Sequence, residues 1–401
     1  MTLALSPADL AFRDEVRRFL DAELSDDLRE AGRRSAGVFS DYEPAMRWFR
    51  ILGARGWNVP HWPPAWGGTG WSPVQHHLFA AELAAADAPS FAPQGPRMVA
   101  PVVLAFGTPE QQAHVLPRIR SGEDYWAQGY SEPGAGSDLA ALQCRARRDG
   151  DHYVINGTKI WTTHAQYANR IFCLVRTDPQ AKAQSGISFL LFDLKLPGIT
   201  VRPIISISGD HELNQVFFDD VRVPASALLG EENRGWTVAK YLLQHERGGA
   251  WSPMLRARLR RLHRARDIAF GGRPADDPER RDLGSRLAEA ECRIDAIEAM
   301  ELRTLAAAAR GEDPDPIQPS IAKLLGTETK QRLTELDIEI AGLSAAARVP
   351  LAEAGEGALP LPEAPVFGMT AYLNDRAASI YAGTNEIQRN LIAARLLGLR
   401  G

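Results

Sequence analysis

The spacing of apolar residues changes twice along the chain. From Ser6 to about Arg120 it is helical: Ser6-Pro7-Ala8-Asp9 offers a hydroxyl cap, a proline for the first helical position and an acid for the first turn, and Phe12, Val16, Phe19 and Leu20 follow on one face. Further helices are predicted over 73–87 and, after a proline-rich passage through Pro101, over a stretch ending near Arg120. Between them Asn58 to Gly70 is too dense in proline and glycine for regular structure and reads as a long loop with buried tryptophans. From about Gly122 the pattern becomes short apolar runs. His152–Ile155, Ile171–Val175, Ile187–Phe192 and Gln215–Phe218 predict strands, and Asp149-Gly150 and Asn156-Gly157 read as hairpin signals bracketing the first. After Val223-Pro224 and Gly230–Gly235 the alanine- and leucine-rich helical period returns, with breaks at 271–279, 311–319 and 349–366. The order is helical, β, helical: an α+β chain divided at 1–121, 122–230 and 231–401.

Composition narrows the function. At 401 residues and 45% hydrophobic the chain can bury a large core in two or three domains. It has no run of about 18 apolar residues and no basic segment leading into an apolar one at Met1, which points to the cytoplasm. A formal charge of −4 gives no broad positive field for a nucleic acid. Cys144, Cys173 and Cys292 are far apart and lack a paired spacing, so neither a disulfide framework nor a metal site is indicated, and they read as core thiols.

Three segments carry chemistry. Tyr130-Ser-Glu-Pro-Gly-Ala-Gly-Ser-Asp138 is a loop whose glycines and hydroxyls suit a phosphate or the polar edge of a ring, although a surface turn uses the same residues. It is not a P-loop, since no Gly-Lys-Ser/Thr follows. Lys159-Ile-Trp-Thr-Thr163 puts an indole beside hydroxyls, which suits a heteroaromatic ring or a strand with a core tryptophan. Ser379-Ile-Tyr-Ala-Gly-Thr-Asn-Glu-Ile-Gln-Arg389 breaks one helix at Gly383 and starts another at Thr384 or Asn385, with Gln388 placed as in a capping box.

Together with the Gly-Gly-Thr-Gly loop at 67–70, Asn156-Gly157 and Val223-Pro224, these segments occur in the order and spacing of the acyl-CoA dehydrogenase family, which the chain resembles over essentially its whole length. The resemblance implies an N-terminal helical domain, a middle β-barrel domain and a C-terminal four-helix bundle. It implies FAD, with Gln128, Tyr130, Ser131, Gly136, Ser137, Trp161 and Thr163 around the isoalloxazine ring and Thr384 and Glu386 approaching it from the C-terminal turn. Ser137 and Arg247 would lie beside the acyl-CoA substrate. Gln128 and His164 depart from the commonest family letters.

Many family members carry their catalytic glutamate where this chain has Ala382. The helical stripe Ala239, Leu242, Leu243 leads to Glu246, and by resemblance to isovaleryl- and long-chain-type members, which carry the base on this helix, Glu246 is expected to remove the substrate α-proton. Two motifs by which homotetrameric members grip a neighbour's FAD are not reproduced. Arg264–Pro274 keeps Phe270-Gly271 without the arginine spacing, and Ile338–Ser344 has a single glycine. The chain therefore resembles the larger subunit of heterotetrameric enzymes such as pimeloyl-CoA dehydrogenase, with an electron-transferring flavoprotein as acceptor; a homo-oligomer is the alternative. The arginines at 256, 258, 260, 261, 264 and 266 read as a solvated helix face, or else as a contact for CoA phosphates or a partner. Two further readings stay open: a non-catalytic or half-site subunit of a heteromeric enzyme, and a flavin oxidase or monooxygenase on the same scaffold.

Overall fold

The computed structural model describes residues 5–34, 38–246, 250–312, 315, 317–342 and 368–399. Helix α1 (Pro7–Glu23) starts at Ser6, whose hydroxyl accepts from the Asp9 amide while the Asp9 side chain caps the Ser6 amide, as its sequence indicates. Its buried face, Phe12, Val16 and Leu20, packs with Trp48 and Leu52 of α3 (Tyr42–Ala54) and Leu78 and Phe79 of α4 (Pro73–Ala85). In the loop between α3 and α4, Trp62 is buried and its indole N–H donates to the Pro96 carbonyl at 2.7 Å, whereas Trp66 is half-buried. The proline-rich passage is not irregular. Gln94–Val99 forms a π-helical turn running into α5 (Ala100–Phe106), with Pro101 in the first turn, where a missing amide costs little. Helix α6 (Pro109–Ser121) follows.

The next elements form one curled sheet of seven strands, ordered β1-β4-β2-β3-β7-β6 with β5 on β4. Strand β1 (Trp126–Gly129) runs parallel to β4 (Arg170–Arg176), and β5 (Ile187–Asp193) pairs antiparallel with β4. Strands β2 (Arg145–Asp149) and β3 (His152–Lys159) form the hairpin marked by Asp149-Gly150. Asn156-Gly157 is not a second hairpin; it lies inside β3, where the register against β7 (Leu213–Pro224) shifts between Ile155 and Gly157. A Cβ at Gly157 would stand 2.7 Å from the Cys144 Cα, so the glycine serves a bulge and a close backbone approach. Strand β6 (Ile199–Ile204) leaves little sequence signal because it is a half-exposed edge containing Pro203.

Helix α7 (Gly235–Glu246) packs against β5 and the π-helical turn. Helices α8 (Ser252–Phe270), α9 (Pro278–Ala309) and α10 (Gln318–Ala341) share a core around Leu259, Leu287, Ile294 and Leu333, and α11 (Gly368–Asp375) and α12 (Asn385–Leu396) pack on α10. The arginine run on α8 is not a solvated face throughout. Arg256 pairs with Asp295 and Glu298 of α9, Arg258 with Asp375 at 3.0 Å and Arg261 with Asp87 at 3.4 Å, while Arg260 and Arg264 are exposed. Cys144 and Cys173 are buried, but Cys292 is exposed and is not a core thiol. Among the described residues no helix is long and apolar enough to cross a membrane.

Candidate functional site

The 130–138 and 159–164 segments are built as one unit. Strand β3 ends at Lys159, which is fully buried; its ammonium donates to the Tyr130 carbonyl at 3.0 Å and to the Glu132 carboxylate at 2.7 Å. Glu132 also accepts the Gln143 and Cys144 amides at 2.6 and 2.9 Å, so both members of the buried charge pair have further hydrogen-bond partners. The Ile160 amide then donates to the Ser131 carbonyl at 2.9 Å. Sequence inspection found both segments but not the pair that joins them. The usable signal was the charge on Lys159, which its position at the end of an apolar strand leaves in need of a partner.

On this base the side chains sort by exposure. Tyr130 is buried, edge-on to Phe172 and Phe189 with centroids 5.9 and 6.3 Å away. Gln128 and Ser131 are half-buried, and Gly136 and Ser137 are exposed. A Cβ at Gly134 or Gly136 would meet nothing within 4 Å, so this loop faces open space. Trp161 is 56% exposed although Lys159 and Thr162 on either side are buried, and it holds a left-handed backbone at φ 59°. That conformation is fixed by the Thr162 amide donating to the Asn214 carbonyl and the His164 amide donating to the Glu212 carbonyl, both at 2.9 Å. Thr163 is half-buried, and the buried Thr162 hydroxyl has no hydrogen-bond partner among the described residues.

His164, the residue that departs from the common family letter, turns away from this rim into the contact with the N-terminal helices. Its Nδ1 lies 2.8 Å from the Tyr125 hydroxyl, and Phe39 and Tyr167 pack edge-on to its ring. Burial, aided by His211, pushes the imidazole down to about 4. Burial also raises the Tyr125 phenol, so the phenol donates and a neutral imidazole accepts.

The C-terminal turn has a different geometry from the capping box its sequence suggests. Thr384 is the N-cap, its hydroxyl accepting the Ile387 amide at 3.3 Å. Gln388 instead donates to the Gly383 carbonyl at 3.1 Å. Asn385 is buried and accepts from Lys323 and Thr327 of α10 at 2.8 and 3.2 Å, and Glu386 is exposed. Ala382 and Gly383 both have positive φ, 54° and 80°. Gln331 of α10 donates to the Asp375 and Arg376 carbonyls at 3.0 and 3.3 Å, and Lys330 meets the Asp375 carboxylate at 2.5 Å. The turn is thus held to α10 from both sides.

Glu246 is the last residue of α7, four positions after fully buried Leu242 on the stripe that includes buried Val238 and Ala239. Its side chain and the whole of Arg247 lie outside the described residues. Phe270 of the altered neighbour-facing motif is buried in the helical core, with the Arg273 guanidinium 4.5 Å from its ring centroid.

An exposed planar indole held in a strained turn, a neighbouring buried hydroxyl with an open valence and a glycine loop facing open space suit a flat, heteroatom-rich ring. These residues fit a flavin.

Comparison with known proteins agrees along the chain. Residues 6–123, 127–221 and 233–397 match the N-terminal, middle and C-terminal domain models of acyl-CoA dehydrogenase. The chain is 37% identical over 97% of its length, and 97% of the relative's, to acyl-CoA dehydrogenase IpdE1 of Mycobacterium tuberculosis. Its fold matches the ChsE4-ChsE5 complex of Mycobacterium tuberculosis with TM-score 0.83 and 30% identity, and the Tcur3481-Tcur3483 steroid ACAD with TM-score 0.83 and 29% identity, each over 100% of both chains. The chain belongs to the acyl-CoA dehydrogenase family and is an FAD-dependent oxidoreductase.

Proposed function

We propose that the chain catalyses α,β-dehydrogenation of an acyl-CoA thioester, with Glu246 as the base that takes the α-proton. The observation that carries this reading is the rim made by the exposed Trp161 indole and the open, hydroxyl-bearing 130–138 loop, tied together through Lys159 and Ile160. Bound FAD supplies the acceptor for the β-hydride. Trp161 would cover one face of the ring, while Tyr130, Ser131, Gly136, Ser137, Gln128 and Thr163 present backbone and hydroxyl groups to its edges. Thr384 and Glu386 would approach from the C-terminal turn, with Ser137 and Arg247 on the substrate side. The apolar stripe of α7 supports the assignment of Glu246, because a carboxylate at the end of a buried face sheds water when substrate binds and becomes a stronger base. Glu246→Gln should abolish turnover with flavin still bound; near-normal turnover removes the assignment. Anaerobic bleaching of the flavin by an acyl-CoA separates this reaction from an oxidase or monooxygenase.

A heteromeric assembly, with a related subunit completing the flavin site, is favoured by the altered neighbour-facing motifs and by the likeness to the ChsE4-ChsE5 complex. Co-production with the nearest paralogue should raise FAD occupancy, and a stable homotetramer with one FAD per chain would refute it. The likeness to a steroid ACAD makes bulky alicyclic acyl groups the first to screen, with an electron-transferring flavoprotein as acceptor.

A further inference from the structure

We infer that Glu212 is a positioning residue that fixes the distance between the Trp161 turn and the Tyr381–Thr384 turn, and so sets how tightly the two sides of the flavin site close. The inference rests on the flavin-site reading above.

Glu212, the residue before β7, has a side chain hydrogen-bonded to both the N-terminal and the C-terminal helical regions. Its backbone carbonyl accepts the His164 amide at 2.9 Å, at the base of the turn that presents Trp161. Two residues on, the Asn214 side chain donates to the Thr162 carbonyl at 3.1 Å, so the start of β7 holds the residues that follow Trp161 at two points, Thr162 and His164. The carboxylate faces the opposite way. One oxygen accepts the Val38 amide at 3.1 Å, and the other accepts the Asn374 side chain of α11 at 3.2 Å.

From Asn374 the path to the signature turn is short. Asp375, next in sequence, is clamped by Lys330 and Arg258 at 2.5 and 3.0 Å, and Tyr381 lies within electrostatic reach of Glu212, Lys330 and Asp375. Asn374 and Asp375 are adjacent on α11, so the Glu212 contact and the Lys330–Arg258 clamp act on the same turn of helix that leads into Tyr381. Glu212 itself is 9% exposed, and burying a carboxylate is costly. An apolar residue would fill this space at lower cost, but it would leave the Val38 amide and the Asn374 amide unpaired and the two turns untied.

The test compares Glu212→Ala, Glu212→Gln and Asn374→Ala in the full chain, together with its partner subunit where flavin loading requires one. FAD affinity, the flavin visible bands, kcat and KM are measured alongside the melting temperature. The expected result is a rise in the FAD dissociation constant of about tenfold for Glu212→Ala, a smaller rise for Asn374→Ala and near-wild-type binding for Glu212→Gln, which keeps the shape and an acceptor. A lower melting temperature with unchanged FAD affinity, bands and kcat would reduce Glu212 to a structural residue and overturn the inference. If Glu212→Ala does not fold, Asn374→Ala carries the test, and unchanged affinity there overturns it equally. Wild-type protein that no acyl-CoA bleaches would sink the proposed reaction alone, since FAD affinity still reports on Glu212.

Discussion

The Lys159 ammonium and the Glu132 carboxylate meet at 2.7 Å with Lys159 fully buried, and this pair joins the 130–138 loop to the 159–164 segment, the two sides of the proposed flavin rim. Neither charge has water to fall back on. Removing one partner strands the other, which in buried pairs costs about 3–5 kcal/mol.

Lys159→Ala and Glu132→Ala are therefore expected to lower stability by about 3 kcal/mol or more in urea unfolding. Because the pair also ties Tyr130 and Cys144, both variants should lose FAD along with stability.

Trp161→Ala should behave in the opposite way. An exposed side chain contributes little to folding, so stability should stay within about 0.5 kcal/mol, while FAD binding weakens roughly tenfold as its stacking surface is lost. Fluorescence titration of FAD against the melting curve separates the two quantities.

His164 predicts a pH dependence of known sign. Its folded value of about 4 lies below the ordinary 6.5, so at neutral pH it is uncharged in both states. As pH falls below 6.5 the unfolded chain takes up a proton that the buried imidazole refuses, and stability is lost down to about pH 4, by roughly 3 kcal/mol in all. Glu212, raised by burial, acts in the opposite direction, since its cost falls as it protonates. Comparing wild type with His164→Asn, which tolerates the left-handed backbone at φ 56°, cancels that contribution; the variant should lose the His164 part of the slope.

Gly157→Ala should destabilise by about 2 kcal/mol or more, since its Cβ would come 2.7 Å from the Cys144 backbone and 2.9 Å from the Cys144 Sγ. Urea unfolding measures it, and a change under 0.5 kcal/mol, the range of an uninvolved surface site, would show that the bulge can relax.

The amino-acid sequence by itself determined the order of elements, because local periodicity, caps and turn residues act over a few positions. Ser6 with Asp9, the Asp149-Gly150 hairpin and the stripe Ala239–Leu242 of α7 are legible for that reason. It also carried the family motifs, hence the loops proposed to face the flavin. Where distant segments compete, local signals misled: Asn156-Gly157 reads as a turn but is a bulge inside β3 where the chain passes close to Cys144, just before β2, and Gln388 reads as a capping residue while Thr384 does the capping. Half of the arginine run reads as a solvated face because its acids lie on other elements. The pairing of Lys159 with Glu132 and the reach of Glu212 to Val38 and Asn374 were decided only by the tertiary structure. Those partners are 27, 174 and 162 residues apart, and a buried charge finds its partner through packing, which spacing along the chain does not encode.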